Sequence, residues 1–316
     1  MNHFCTLSDK NWLHKGLAMY LSLQARVSDF TLHYLCIDDE TYNTLSRLVQ
    51  QHKYKINPIK LDDLLRCDVE LQKAKTNPPG KYGDVYSQFC WTLTPYFTWW
   101  LLTYKVPLND WLYYADSDLL FYGNPLSLGE KAGQTDYSVA IHSHRQNHAN
   151  GYKSENSDVG YYNVGLIMFK NNSTGKAVAE WWKKVLLSTT HQYYELYGTC
   201  GDQKYLDLFI PLFGRENTLV WDEALFCSFA HGAPWNFDIY EYGEKPTDVK
   251  YKGREETILL NHFSHFTPDL AKDTWSSSYR GEWKPEEVHR AVRWFYQDYF
   301  EKIKEADELI NPLSPP

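Results

Sequence analysis

Cysteine is sparse and scattered. Six cysteines occur in 316 residues (Cys5, Cys36, Cys67, Cys90, Cys200 and Cys227), and no two stand in Cys-x-x-Cys spacing. That excludes a zinc ribbon or a thioredoxin-type pair, and isolated thiols in a chain this long predict a reducing compartment. The sequon-like "NNST" at Asn171 has no meaning there. No apolar run reaches the roughly 18–20 residues that cross a bilayer, so no membrane span is expected. Positive charge is also short, with 32 Lys and Arg against 40 Asp and Glu, a net charge of −8. A general nucleic-acid binder usually carries a basic face, and this chain has none in prospect. The opening "MNHFCTLSDKNW" lacks a basic stretch followed by an apolar core, so no signal peptide is expected. These absences predict a cytoplasmic protein with no nucleic-acid partner and at most peripheral contact with the inner face of a membrane.

Aromatic residues are plentiful instead. They make up 16% of the chain, including 12 Trp and 25 Tyr. Most are expected to pad a core; the alternative is that some stack on sugar rings. Composition does not choose between the two.

Along the chain, strands are expected over residues 3–8, 30–37 and 54–61, with helices over 9–24 and 40–51 between them. Leu13, Leu17, Tyr20, Leu21 and Gln24 fall at helical spacing. This alternation predicts a mostly parallel sheet with right-handed crossovers, whose ligands sit beyond the carboxyl ends of the strands. Residues 6–8 and the Asp38–Asp39 pair are such ends. The apolar stretch 87–104 reads as a long helix that Pro95 kinks or divides. Further strands are expected over 137–142, 162–171 and 256–266. A helix is expected over 175–189, another opens at "CGDQKYLDLF" (200–209) with Gly201 and Asp202 as caps, and a last one covers 285–309.

One stretch does not suit folding alone. In "LYYADSDLLFYGNP" (112–125) a buried strand ends in two aspartates, Asp116 and Asp118, separated by Ser117. Two carboxylates in one crevice repel, and one tends to protonate unless a cation intervenes. Mg²⁺ takes carboxylate and phosphate oxygens, and Mn²⁺ also accepts imidazole. His262, at the end of a distant apolar strand and near His265, would complete such a set. A plain turn with two exposed aspartates is the alternative for the tripeptide, and a satisfied structural histidine the alternative for His262. Asp202 and Gln203 either cap a helix or face a sugar.

The ordered set "HFCTLSD", "LHYLCIDD", "YSQFCWTLTPYF", "YYADSDLLFYGNPLSL", "IHSHR", "YNVGLIMFKN", "CGDQKYLDLF", "APWNF" and "LLNHFSHF" resembles the bacterial and viral GT-A nucleotide-sugar glycosyltransferases, family 8-like enzymes in particular. The resemblance spans roughly residues 3–266. It implies an α/β fold: a single Rossmann-like GT-A domain over residues 1–270, with a mostly parallel mixed sheet, and a helical extension over 271–316 packed on it. It also implies a metal-dependent hexosyltransferase acting on a nucleoside-diphosphate sugar, a UDP-sugar, with a glycan or glycolipid acceptor and retention of configuration. Asp116, Asp118 and His262 would hold Mn²⁺ or Mg²⁺. Cys5, Thr6, Ser8, Asp38 and Ser117 would meet the nucleotide, Asp202 and Gln203 the reacting sugar, and Asn163, Gly165, Trp235 and Asn236 the substrate. The family's His-x-x-Gly-x-x-Lys-Pro-Trp element is replaced here by "HFSHFTPDL", so its diphosphate lysine is absent. Lys75 is the expected substitute, with Lys81 behind it. Three other readings stay open. One is an inverting enzyme of the same fold with Asp202 as base. The others are a non-catalytic carbohydrate-binding protein and a metal phosphohydrolase, which would want further carboxylates near the first pair.

Overall fold

The computed structural model describes residues 2–79, 83–146, 159–190, 192–193, 201–278 and 289–312. Lys81 and Cys200 lie outside the described residues. Strand β1 (Asn2–Ser8) leads through helix α1 (Leu13–Gln24) to β2 (Phe30–Cys36). Helix α2 (Asp39–His52) then leads to β3 (Ile56–Lys60). Two short helices, α3 (Leu61–Leu65) and α4 (Val69–Thr76), precede α5 (Val85–Tyr104). Pro95 sits inside α5 without dividing it. It lacks only the amide that would bond one turn back, and the helix is held by a face that buries Phe89, Leu93, Phe97 and Leu101.

Next come β4 (Trp111–Ala115), β5 (Leu119–Phe121), α6 (Leu126–Gly133), β6 (Val139–Ser143), β7 (Tyr162–Lys170) and α7 (Ser173–Leu187). The later strands are β8 (Thr218–Val220), β9 (Phe229–Gly232), β10 (Glu241–Tyr242), β11 (Asp248–Tyr251), β12 (Arg254–His262), β13 (Phe266–Asp269) and β14 (Thr274–Ser277).

The large sheet has the order β3-β2-β1-β4-β7-β6-β8. Every strand runs the same way except β7, which is antiparallel to both neighbours. A core lies on each face of this sheet. One contains α1 and the last helix, Arg290–Ile310; the other contains α5 and α7.

The feature that places the site is where the chain leaves this sheet. After Ala115 it turns through residues 116–118 and enters a smaller sheet as β5, paired antiparallel with β12. The register sets His262 opposite Leu119, and the Phe263 amide donates to the Asp118 carbonyl at 3.0 Å. The expected strand 256–266 therefore stops at His262, because the chain must turn before β13. His265 in that turn takes a left-handed backbone (φ 61°).

The last helix anchors this corner. Tyr299 stacks on Phe263 with centroids 4.1 Å apart and meets Phe266 edge-on at 5.0 Å. Phe295, Tyr296, Phe300 and Ile303 are buried beside it, each contributing roughly 1.5–3 kcal/mol on full burial. No helix among the described residues is long and apolar enough to cross a membrane.

Candidate active site

Asp116 follows the last residue of β4, and its amide donates to the Gly165 carbonyl of β7 at 2.9 Å. Asp118 precedes β5. His262 ends β12. One ligand atom from each of the three lies within 4.8 Å of the other two. His262 Nε2 is 3.1 Å from Asp118 Oδ1 and 3.8 Å from Asp116 Oδ2. Residues about 145 positions apart thus meet because one ladder pairs β5 with β12.

The charges are strained as they stand. Two unit charges about 4 Å apart repel by about 4 kcal/mol at an effective dielectric constant near 20. Burial, and then the charge of Asp118, push the Asp116 carboxyl up to about 6. Despite burial, Asp118 is held below the usual carboxylate range by His262, and His262 is raised by Asp118.

A second set of groups fixes the first. Tyr114 donates its hydroxyl to Asp116 Oδ1 at 2.8 Å. Asn163 is buried behind His262, with Oδ1 3.2 Å from His262 Nδ1 and accepting from the Gly165 amide at 2.8 Å. With Asn163 Oδ1 accepting at Nδ1, His262 turns Nε2 toward the aspartates, where in the metal-free protein it is protonated and paired with Asp118; shedding that proton would make Nε2 a ligand. Gly165 is needed for close approach. A Cβ there would come within 2.7 Å of Asn163 Oδ1 and 3.0 Å of His262 Nδ1.

A crevice of about 380 Å³ opens over the cluster. Ser8, Asp9 and Trp12 line it from the end of β1, and Tyr86, Trp91 and Thr94 from α5. Ser117, Asp202 and Gln203 complete it. Burial first, and the charge of Asp116 second, hold the Asp202 carboxyl well above its ordinary range. Gln203 Oε1 accepts from Asn163 Nδ2 (2.8 Å) and the Val164 amide (3.3 Å), so its amide is locked to β7. The segment that begins there is a 3-10 helix, Gln203–Leu208, rather than the α-helix expected over 200–209.

Other expected residues are placed elsewhere. Cys5 joins the core beneath α5, and burial pushes its thiol up. Thr6 is buried with its hydroxyl unpartnered. Asp38 caps α2, accepting from the Thr41 and Lys10 amides at 2.8 Å each. Lys75 and Asp38 line a neighbouring hollow that shares Asp9, Ile37 and Tyr86 with the crevice. Trp235 packs edge-on to His262 at 5.3 Å and donates Nε1 to the His144 carbonyl. Asn236 bonds the same carbonyl and the Ala233 amide. Neither is among the residues lining the crevice.

No protein-family model matches the chain. An uncharacterized protein of Bacillus subtilis (strain 168), YfnF, is 29% identical over 268 residues, 83% of this chain and 81% of its own. Among solved structures, mouse xyloside xylosyltransferase 1 is similar with a TM-score of 0.54 and 15% identity, over 86% of this chain and 99% of its own. The galactosyltransferase LgtC, solved with donor and acceptor sugar analogs, is similar with a TM-score of 0.53 and 12% identity, over 96% and 95%. The chain has the GT-A glycosyltransferase fold. The Rossmann-like α/β architecture expected from the sequence is the one found.

Within this GT-A fold, sequence reasoning missed Asp9, Trp12, Tyr86, Trp91 and Tyr114. The strand-end rule pointed within a few residues of Asp9 and Trp12. Tyr86 falls in the loop before the helix expected over 87–104, and Trp91 lies in an apolar run that reads as wholly buried. Tyr114 gave no signal, being one of several aromatics in its strand.

Two expectations follow from these contacts. Asn163→Ala frees His262 to turn, and loss of such an outer partner weakens metal binding about 10–100-fold. Calorimetric titration of the folded variant with Mn²⁺ checks this, and wild-type affinity would contradict it. The second concerns pH. Asp116 and His262 are both raised, so the stability they lend the metal-free protein is present at low pH and lost as pH rises through about 6 and beyond. A cation replaces those protons. The gain in melting temperature on adding Mn²⁺ should therefore be small at pH 5.5 and large at pH 8, and a gain that ignores pH would speak against the cluster.

Proposed function

We propose that this protein is a metal-dependent glycosyltransferase. It moves a hexose from a nucleoside-diphosphate sugar, a UDP-sugar, to a glycan or glycolipid acceptor with retention of anomeric configuration. The observation that carries this reading is the convergence of Asp116, Asp118 and His262 in a crevice of a GT-A fold. The donor set fits Mn²⁺ or Mg²⁺, with two hard carboxylates and one imidazole whose Nε2 faces them and would give up its proton to a bound ion. Such an ion supplies Lewis-acid stabilisation of the departing diphosphate.

The remaining work belongs to side chains of this protein. Tyr114 and Asn163 hold the ligands in orientation. Trp12, Tyr86 and Trp91 offer flat faces to a base or a sugar. Asp202 lies close enough to Asp116 to feel its charge; with that charge offset by a cation at the cluster, the ionised Asp202 carboxylate would meet the positive charge that builds at the anomeric carbon as the bond to the diphosphate lengthens. Gln203, locked by β7, keeps the adjacent wall fixed.

The test is incubation with Mn²⁺ and a panel of nucleoside-diphosphate sugars, followed by assay of released nucleoside diphosphate. Release from one sugar donor, abolished by EDTA, is expected. Release of phosphate from simple phosphomonoesters instead would identify a phosphohydrolase. Binding of a glycan with no release from any donor would identify a carbohydrate-binding protein.

A further inference from the structure

One buried charge beside the crevice takes no part in the carboxylate–imidazole cluster. Lys15 lies near the start of α1 and is only 6% exposed. Among the described residues it is the one buried lysine. Its Nζ donates to the Phe266 carbonyl at 2.8 Å and stands 3.8 Å from the centroid of the Trp12 ring. No carboxylate among the described residues comes within 4.0 Å of it.

Removing an ammonium from water is unfavourable unless negative charge answers it. One neutral carbonyl and one ring face answer only part of that, and an ammonium has three donors. The anion that Lys15 feels is Asp118; the two attract, and Lys15 in turn weighs on His262. Its neighbours also belong to the site, since Trp12 lines the crevice and Phe266 follows His262 by four residues. Helix α1 therefore sets a buried positive group behind Trp12, whose ring lines the crevice, and no carboxylate among the described residues pairs with it. Lys75, by contrast, faces the neighbouring hollow.

We propose that Lys15 is the cationic group that binds the diphosphate of the donor, reaching it past Trp12 from the edge of the Asp116–Asp118–His262 crevice. This rests on the glycosyltransferase reading above. A compact point charge on a four-carbon stem suits the role, because the stem swings while the three donors turn toward phosphate oxygens. In the enclosed crevice the attraction is much stronger than it would be in water. Lys15 forms and breaks no covalent bond. It neutralises charge that is present in the bound donor and in the departing nucleoside diphosphate alike.

The test is calorimetric titration, in Mn²⁺, of wild-type protein, Lys15→Met and Lys15→Arg with UDP, GDP, ADP and CDP, alongside the matching nucleosides followed by ligand-observed NMR. Melting curves in EDTA report folding, which Met should preserve by filling the volume of the stem. Lys15→Met should weaken the best-bound diphosphate at least about 10-fold, as loss of a charged hydrogen bond does, while its nucleoside changes less than about twofold. Lys15→Arg should retain binding to within about threefold. Should Met fail to fold, Lys15→Gln takes its place with the same expectation. Undiminished diphosphate binding by Lys15→Met or Lys15→Gln would overturn the assignment, and so would equal loss of diphosphate and nucleoside. A wild-type protein that binds none of the four diphosphates would overturn the glycosyltransferase reading itself, and this inference with it.

Discussion

Asp118→Asn is expected to lower turnover at least about 100-fold while leaving the protein folded. The two halves have one cause. Asp118 is buried, sits 3.1 Å from His262 and is within 4.8 Å of Asp116. In the metal-free protein these carboxylates oppose each other, so replacing one by an amide of the same shape removes repulsion as well as an ion pair. The β5–β12 ladder, the Phe263 amide bond to the Asp118 carbonyl and the aromatic corner under Tyr299 are all untouched. Melting in EDTA should shift by no more than a few degrees. An amide oxygen, however, is a weak ligand for a hard cation, and the diphosphate would lose the ion that shares its charge. Steady-state rates at limiting Mn²⁺ check this, and a folded variant with wild-type rates would refute it.

The second large effect concerns Asp202. Asp202→Asn is expected to lower turnover about 100-fold while binding of nucleoside diphosphate changes less than about threefold, because its role begins when charge develops on the sugar. Retention requires the acceptor to arrive on the face from which the diphosphate leaves. The opposite face then needs a group that stabilises positive charge without taking a proton from the acceptor. Asp202 beside the locked Gln203 amide suits that position. An inverting enzyme would instead use a carboxylate within hydrogen-bond reach of the acceptor hydroxyl, and Asp202 is the residue that would serve. NMR of the product decides between them. An α-linked donor should give an α-linked product; a β-linked product would recast Asp202 as the general base.

The parts of the protein legible in the sequence are those that repeat locally. Alternating apolar strands and amphipathic helices predicted β1 to β3 and their crossovers within a few residues, and a strand closing on Asp-x-Asp marked the cluster. His262 was found because a histidine after an apolar run is locally visible. What stayed hidden depends on partners far apart in the chain. Nothing in "YNVGLIMFKN" reveals that β7 runs against its neighbours, or that Asn163 would stand behind His262, 99 residues on. The buried ion cluster of Arg145 with Asp222 and Glu256 is of the same kind, joining residues 77 and 111 positions apart. Lys75 stands beside a proline- and glycine-rich loop that the sequence displays, whereas Lys15 lies on a helix whose visible local signal is its apolar spacing. Burial of a charge is a tertiary fact, and the helical pattern around Lys15 is the same with or without it.

The most direct test of the metal-centred account is diffraction from crystals grown with Mn²⁺ and the nucleoside diphosphate that the donor screen selects, with data collected for the anomalous signal of manganese. The account predicts one strong peak at bonding distance, about 2.0–2.3 Å, from Asp116, Asp118 and His262 Nε2, with diphosphate oxygens on its open side. Nucleotide bound in the crevice with no peak between these three side chains, or with the peak elsewhere, would contradict it.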